Sequence, residues 1–158
     1  IFGLGFVICS LYLLQPDAPF PDPPPGTYIS GEPADTESPY RRAYYSNYSR
    51  SEIIDFYKGT YLPATLLRLN YPPEDGQLYI RDQARSSWLE ELIHPGRDSI
   101  YINGFYPTKP TEQINISGVH YQNKIIVHQI PTSLSSRLTS LLLAAIGVYL
   151  LTREYAKI

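Results

Sequence analysis

Sulfur and charge are both scarce in this chain, which has no methionine and a single cysteine. One cysteine cannot form an internal disulfide, and it cannot build a cysteine-rich zinc site. Charged residues make up 18% of the 158 residues, and the formal net charge is −2. Because nucleic-acid-binding proteins are normally basic, this balance argues against that class. The missing methionine predicts that the encoded chain begins upstream of Ile1.

Proline, tyrosine and apolar residues are plentiful instead: the chain has 15 Pro, 15 Tyr and 43% hydrophobic residues. Its length suits one compact domain with attached segments. Residues 1–14 are uncharged, but a helix of this length spans only about 21 Å of a hydrocarbon core about 30 Å thick. We therefore expect a transmembrane helix that is truncated here. A signal-peptide core is the alternative, disfavoured because no small-residue cleavage motif follows Leu14.

Residues 134–155 form the second apolar run and are predicted to be a transmembrane helix. As a helix they span about 33 Å, and Arg137 near the start is placed to reach lipid headgroups. A buried helix of a soluble core is the alternative, but the run lacks the polar face that such a helix usually shows.

Charge asymmetry predicts how these helices are oriented. Arg153 and Lys157 follow the apolar centre of the second run, whereas residues 15–40 carry five acidic residues and no Lys or Arg. The positive-inside rule then places both termini in the cytoplasm. The sequence therefore predicts a two-pass membrane protein with an extracytoplasmic excursion from residue 15 to about 133.

Residues 15–40 are predicted to be an extended, acidic linker, because they contain eight of the fifteen prolines. Pro23, Pro24 and Pro25 are consecutive and are candidate contacts with a partner. The segment is interpreted as a spacer or as a strap laid along a partner. An SH3-type ligand is the less favoured interpretation, given the predicted location.

Tyr40, Tyr44 and Tyr48 recur every four residues beside Arg41 and Arg42, a spacing that predicts one helical face of aromatic and cationic groups. Three interpretations compete: a nucleic-acid platform, a collar on the membrane or on a partner, and tyrosines packed under the domain. The acidic balance disfavours the first. The five residues are candidate interaction residues, although simple packing is the most conservative interpretation.

Residues 41–132 are predicted to form an α+β domain with a small, mostly antiparallel sheet and two short helices. Capping boxes at Ser49-x-x-Glu52 and Ser87-x-x-Glu90 indicate the helix starts, and alternating apolar residues between turn formers indicate strands. The predicted helices cover 50–58 and 88–93, and the predicted strands cover 66–70, 77–81, 99–106, 113–116 and 119–130, with Ser117-Gly118 as a hairpin turn.

Catalytic and metal-binding patterns are weak. His120 and His128 lie on one predicted strand about 26 Å apart, so they cannot share a metal unless the strand folds back at residues 122–123. His94, Arg97 and Asp98 cluster in a predicted helix-to-strand loop and are the best alternative catalytic site, although a hydrogen-bonded structural corner is favoured. No phosphate-binding, nucleophile-elbow or zinc-protease motif is present, so we expect no enzyme activity, cofactor or metal.

The sequence thus predicts a non-catalytic accessory subunit, anchored in the bilayer and docked on a larger integral-membrane complex. An extracytoplasmic ligand-sensing or envelope-binding domain is the alternative, and a membrane-bound hydrolase using the His94 corner is the least supported. Asn47 and Asn115 lie in glycosylation sequons, which have meaning only in a eukaryotic secretory pathway.

Overall fold

The computed structural model describes residues 2–61, 67–81 and 86–157. The helices are α1 (Phe2–Leu13), α2 (Arg50–Thr60), α3 (Gly76–Tyr79) and α4 (Leu134–Tyr155). The strands are β1 (Tyr28–Ile29), β2 (Arg41–Ser46), β3 (Leu67–Tyr71), β4 (Trp88–His94), β5 (Asp98–Phe105), β6 (Ile114–Ile116), β7 (Val119–Tyr121) and β8 (Asn123–Pro131). Short 3-10 turns lie at Pro33–Asp35, Pro73–Asp75 and Pro110–Glu112.

Six strands form one sheet in the order β1-β2-β8-β5-β4-β3, and each neighbouring pair is antiparallel. Strands β6 and β7 form a separate two-stranded hairpin. The expected α+β class with an antiparallel sheet is therefore confirmed. The sheet is larger than expected at one edge, because β1 belongs to the segment predicted to be a linker.

Each face of the sheet carries its own apolar layer. On one face α2 contributes Ile53, Ile54 and Tyr57 to the larger core, which also contains Trp88 and Leu92 from β4. The opposite face has a smaller cluster formed by Ala43, Ile80, Leu89 and Ile126. Full burial of one such side chain contributes roughly 1.5–3 kcal/mol, so the two layers supply much of the favourable free energy that opposes the conformational entropy of the chain.

The helix predicted over 88–93 is wrong, because Trp88–His94 is strand β4, which lies between β5 and β3 in the sheet. A strand buried on both faces shows a continuous apolar run instead of alternation, and such a run also fits helical spacing. The Ser87 hydroxyl does not cap a helix. It accepts a hydrogen bond from the Tyr106 amide at 2.9 Å and so ties the start of β4 to the end of β5.

The strand predicted over 77–81 is also wrong. Gly76–Tyr79 is a single helical turn that follows the 3-10 turn Pro73–Asp75, and Arg81 then adopts a positive φ of 54°. The strand predicted over 66–70 is found as β3, with residue 66 outside the described residues.

Predictions based on turn and cap chemistry are confirmed at α2 and at the β6–β7 turn, whereas the second capping-box pattern, Ser87-x-x-Glu90, precedes a strand. In α2, Ser49 and Glu52 form a complete capping box, and the helix runs two residues beyond the predicted end. Ser117 and Gly118 have φ of 52° and 81° in the β6–β7 turn, as a type I′ hairpin requires. The long strand predicted over 119–130 is interrupted at Gln122, so His120 lies in the hairpin and His128 in the main sheet.

Of the described helices, α4 alone is long and apolar enough to span a membrane, and only 6% of its most apolar 18-residue stretch is buried. Its leucines face outward, with Leu143 63% exposed and Leu151 61% exposed. Helix α1 is apolar but has 12 residues. The exposure of α4 argues against a core helix and suggests membrane association.

Candidate functional site

The end of the sheet from which α4 leaves is where the domain meets both apolar helices. Here His94, Asp98 and Pro131 lie opposite one another at the ends of β4, β5 and β8. The β4–β5 turn contains Gly96 with a φ of 75°, and the side chain of Leu13 at the end of α1 lies against it. A tight turn in the left-handed region favours glycine at this position. We call this region the junction.

Asp98 is the buried anchor of the junction. Its fully buried carboxylate accepts hydrogen bonds from the Tyr61 hydroxyl and from His94 Nδ1, the latter at 3.0 Å. Burial, and then the hydrogen bond to Asp98, raise the pKa of Tyr61 well above its usual range. His94 also packs its ring against Tyr61, with 5.2 Å between ring centroids. The residue that follows α2 is thereby fixed to the β4–β5 hairpin.

Arg97 connects this corner to the chain that leaves α1. Its guanidinium donates to Gln15 Oε1 at 2.9 Å and to the Pro16 carbonyl at 2.8 Å, and it lies 5.4 Å above the ring of Tyr12. Arg97 Nε is 3.9 Å from the Asp98 carboxylate, which balances its charge. The predicted trio His94, Arg97 and Asp98 therefore comes together, but in a strand-to-strand turn and not in a helix-to-strand loop.

Arg137, in the first part of α4, makes the second connection. It is 3% exposed and donates to the carbonyls of Thr132 at 2.8 Å, Gln15 at 3.1 Å and Leu13 at 3.4 Å. Its guanidinium also forms an ion pair with Asp17. The expectation that Arg137 reaches lipid headgroups is wrong, because the end of α1 supplies these acceptors. An arginine beside a long apolar run normally needs such partners, which is the signal that could have identified it.

The polar side chains of the junction connect segments of this chain to one another. No hydrogen bond among the described residues links His94 to a hydroxyl or thiol nucleophile, and the Asp98 carboxylate is shared with Tyr61. Within the described part of the chain, no group of three or more His, Cys, Asp and Glu residues is placed to hold a metal ion. The arginines bind backbone carbonyls of this same chain. The geometry thus fixes the direction in which α1 and α4 leave the domain.

Two cavities flank the junction. An apolar groove of about 550 Å³ runs between α1 and α4 and is lined by Gly5, Cys9, Ala144 and Val148 among others. A smaller cavity of about 210 Å³ lies between residues 18–22 and the end of α2.

The proline-rich segment lies along its own domain. Gln129 donates to the Ala18 carbonyl at 2.9 Å, and Tyr48 donates to the Pro25 carbonyl at 2.9 Å. Of the predicted contact residues, Pro24 is buried, Pro23 is half-buried and Pro25 is exposed. Strand β1 then pairs with β2. These contacts make residues 15–40 a strap on the domain, in addition to any partner contact.

The helical tyrosine face is wrong, because Arg41–Ser46 is strand β2. Tyr44 is 3% exposed within the core beneath α2, and burial raises its pKa to about 12. Arg41 is buried and donates to the Ile80 carbonyl, and Arg42 lies over the ring of Phe20 in the strap.

Tyr40 and Tyr48 flank β2, and Tyr40 is 44% exposed. The five residues therefore do not share one surface, and their role in partner contact stays a prediction.

A second group of charged and polar side chains fixes the strap to the domain near residues 30–35. Lys124 donates to Glu32 at 3.0 Å and lies 2.8 Å from the buried Asp35. Burial alone would lower the pKa of Lys124, but Asp35 and Glu32 raise it. Hydrogen bonds from Tyr45 and from Lys124 lower the pKa of Glu32. Ser30 adds a hydrogen bond to Asp35 at 2.6 Å.

A third buried charge lies beside the β3 edge of the sheet. The carboxylate of Glu90 is fully buried and binds Arg50 at 2.6 Å and Arg68 at 2.8 Å. Arg50 also donates to Asn70 at 2.9 Å and lies over the ring of Trp88. The hydrogen bond to Glu90 raises the pKa of Arg68.

No protein-family model matches this chain, and comparison with curated proteins and with solved structures also gives no match. The buried charged side chains described above hold the strap and the ends of both apolar helices against the domain.

Proposed function

We propose that this chain is a non-catalytic, two-pass membrane subunit that docks on a larger integral-membrane complex through its extracytoplasmic α+β domain. The observation that carries this proposal is the junction, where Arg97 and Arg137 tie the domain to the end of α1 and the start of α4. A domain on a flexible tether needs no fixed contacts with its membrane segments. A domain that presents one surface to a membrane-embedded partner needs a fixed orientation, which the junction supplies.

The bilayer is the second partner in this proposal. Helices α1 and α4 run side by side with outward-facing apolar residues, and a partner helix or lipid would cover them. The charge asymmetry between residues 15–40 and the end of α4 supports cytoplasmic termini and an extracytoplasmic domain.

The alternative of a ligand-sensing domain has less support. Small-molecule pockets usually measure about 300–1,000 Å³. The cavity between the strap and α2 measures about 210 Å³, and the larger groove lies between the apolar helices.

Topology can be tested with single cysteines in a Cys9→Ser background. A membrane-impermeant maleimide added to intact cells should label Thr111→Cys, which is exposed on the domain. It should label Lys157→Cys only after permeabilisation. Equal labelling of both sites in intact cells would contradict the two-pass arrangement.

Docking can be tested by extraction of the tagged protein in a mild detergent, followed by size separation and mass spectrometry. We expect one defined set of membrane proteins to remain bound. A chain that migrates alone in several mild detergents, while labelling with the proposed topology, would refute the subunit proposal and leave the topology intact.

A further inference from the structure

The two edge strands of the main sheet, β1 and β3, differ in how readily a further strand could pair with them. Strand β1 has two residues and lies between proline-rich stretches of the strap. Strand β3 has five residues, LRLNY, with continuous register against β4 and no proline or bulge. No described residue pairs with its outer side. Natural proteins usually block such an edge with prolines, bulges or charged side chains. The one charged side chain on β3, Arg68, is turned toward Glu90 of the neighbouring strand.

Side chains on β3 alternate between an apolar side and a cationic side. Leu67 and Leu69 are 44% and 37% exposed and project from the face opposite α2. Arg68 projects from the α2 face, where it and Arg50 share the single carboxylate of Glu90. The guanidinium side chains remain 42% and 39% exposed.

This group of charges has one cation in excess. Asp55, the nearby acid on α2, is itself paired with Lys58 at 3.2 Å. An added strand beside β3 would therefore meet leucines on one side and surplus positive charge on the other.

We propose that the outer edge of β3 accepts an extended segment of the partner subunit as a seventh strand, with apolar side chains facing the leucines and a carboxylate facing Arg68. Main-chain hydrogen bonds would supply affinity, and the alternating side chains would supply specificity. This inference rests on the proposed function and names the surface through which docking occurs.

A second copy of the chain in the same membrane does not fit this edge. The Leu67 end of β3 lies opposite Ile93, next to the junction, and the Tyr71 end lies away from it. Antiparallel pairing of two β3 edges would place these ends side by side in opposite directions. The apolar helices of the two copies would then leave in opposite directions. Parallel pairing would keep the helices on one side, but the β3 sequence LRLNY has no Asp or Glu to face Arg68 of the other copy. The occupant is therefore a different chain.

Photo-crosslinking in the purified complex tests the edge directly. A photoreactive amino acid replaces Leu67 or Leu69 in turn, with Leu78 as the control because it is 77% exposed and lies on α3. We expect both β3 positions to crosslink to one partner segment, at sites two residues apart, and Leu78 not to crosslink to it. The mapped segment should carry Asp or Glu on its opposite face.

Crosslinks spaced three or four residues apart would indicate a helix, and they would overturn the proposal. An intact complex that gives no crosslink from either β3 position would overturn it as well.

A charge introduced on β3 supplies the complementary test. Leu69→Lys should reduce the amount of retained partner at least 10-fold, whereas Ile29→Lys on the β1 edge should leave it within 2-fold. Trp88 emission, which reports the core, should match the unchanged protein in both variants. Full retention by a folded Leu69→Lys protein would overturn the edge proposal alone. A chain with no partner before substitution would overturn both proposals.

Discussion

Replacement of Arg137 by alanine should open the junction while the sheet stays folded. The side chain is 3% exposed and serves three backbone carbonyls, two of which belong to the end of α1 and the residues after it. Arg137 therefore holds α1 against α4. No other described side chain donates a hydrogen bond to the Leu13 or Gln15 carbonyl.

The change in the free energy of local opening follows from these contacts. A hydrogen bond to a charged group contributes about 1.5–3 kcal/mol. Arg137 makes two such bonds on the α1 side, to the partly buried carbonyls of Leu13 and Gln15. Its ion pair with Asp17, which is 52% exposed, contributes little. The free energy of local opening should thus fall by about 3 kcal/mol, which corresponds to roughly a 100-fold larger open population.

Hydrogen exchange in detergent measures this opening. The reporters are the amides of Leu14 and Gln15, which bond to the carbonyls of Ser10 at 2.9 Å and Tyr12 at 3.3 Å. We expect exchange at these amides to accelerate by roughly 100-fold in Arg137→Ala.

The matched control is Asp17→Asn, which removes only the half-exposed ion pair and should change exchange less than about 5-fold. Trp88 emission should be unchanged in both variants. Acceleration of Leu14 and Gln15 by less than about 3-fold in Arg137→Ala would refute the reasoning that this arginine closes the junction.

Two further predictions concern the stability of the domain. Gly104→Ala should lower the free energy of unfolding by at least about 1–3 kcal/mol, since a Cβ there would overlap the Trp88 ring. Gly59→Ala in α2, where a Cβ meets nothing within 4 Å, should raise it by about 0.5–1 kcal/mol. Urea unfolding followed by Trp88 fluorescence measures both changes, and equal effects would contradict the packing. Burial raises the pKa of folded Tyr44 from the ordinary 10.0 to about 12, so its contribution to stability is complete below the lower value and is lost as pH rises to the upper one, by roughly 2–3 kcal/mol. Burial also raises the pKa of other tyrosines such as Tyr61, so Tyr44→Phe should reduce the alkaline decline by about this amount without removing it. An unchanged pH dependence would refute the assignment.

Sequence patterns that depend on local chemistry predicted α2 and the β6–β7 turn correctly, but the same kind of pattern at Ser87 was wrong, because a strand begins there. The capping box placed the start of α2, and Ser117-Gly118 placed the hairpin turn, because caps and turns are decided by a few adjacent residues. Tyrosines four residues apart were misleading because a spacing of four also places side chains on one face of a strand. In β2 this spacing buried Tyr44 beneath α2.

Long-range contacts were beyond such patterns. Arg97 binds Gln15 across 82 positions, and Arg137 binds Leu13 across 124. Nothing near either arginine specifies its acceptor, since backbone carbonyls occur at every residue. The charged trio at the β4–β5 turn was visible in the sequence, but its use in holding α1 and the strap was not.

In the proposed topology, the junction also determines which end of the β3 edge is nearer the membrane. Because Arg97 attaches the β4–β5 turn to the chain after α1, the Leu67 end of β3 lies toward the apolar helices and the Tyr71 end away from them. A partner strand added at β3 would then have one end nearer the bilayer than the other. The partner residue that crosslinks to Leu67 should lie nearer the partner's own membrane segment than the residue that crosslinks to Leu69. The reverse order would show that the strand binds an edge whose orientation the junction does not fix.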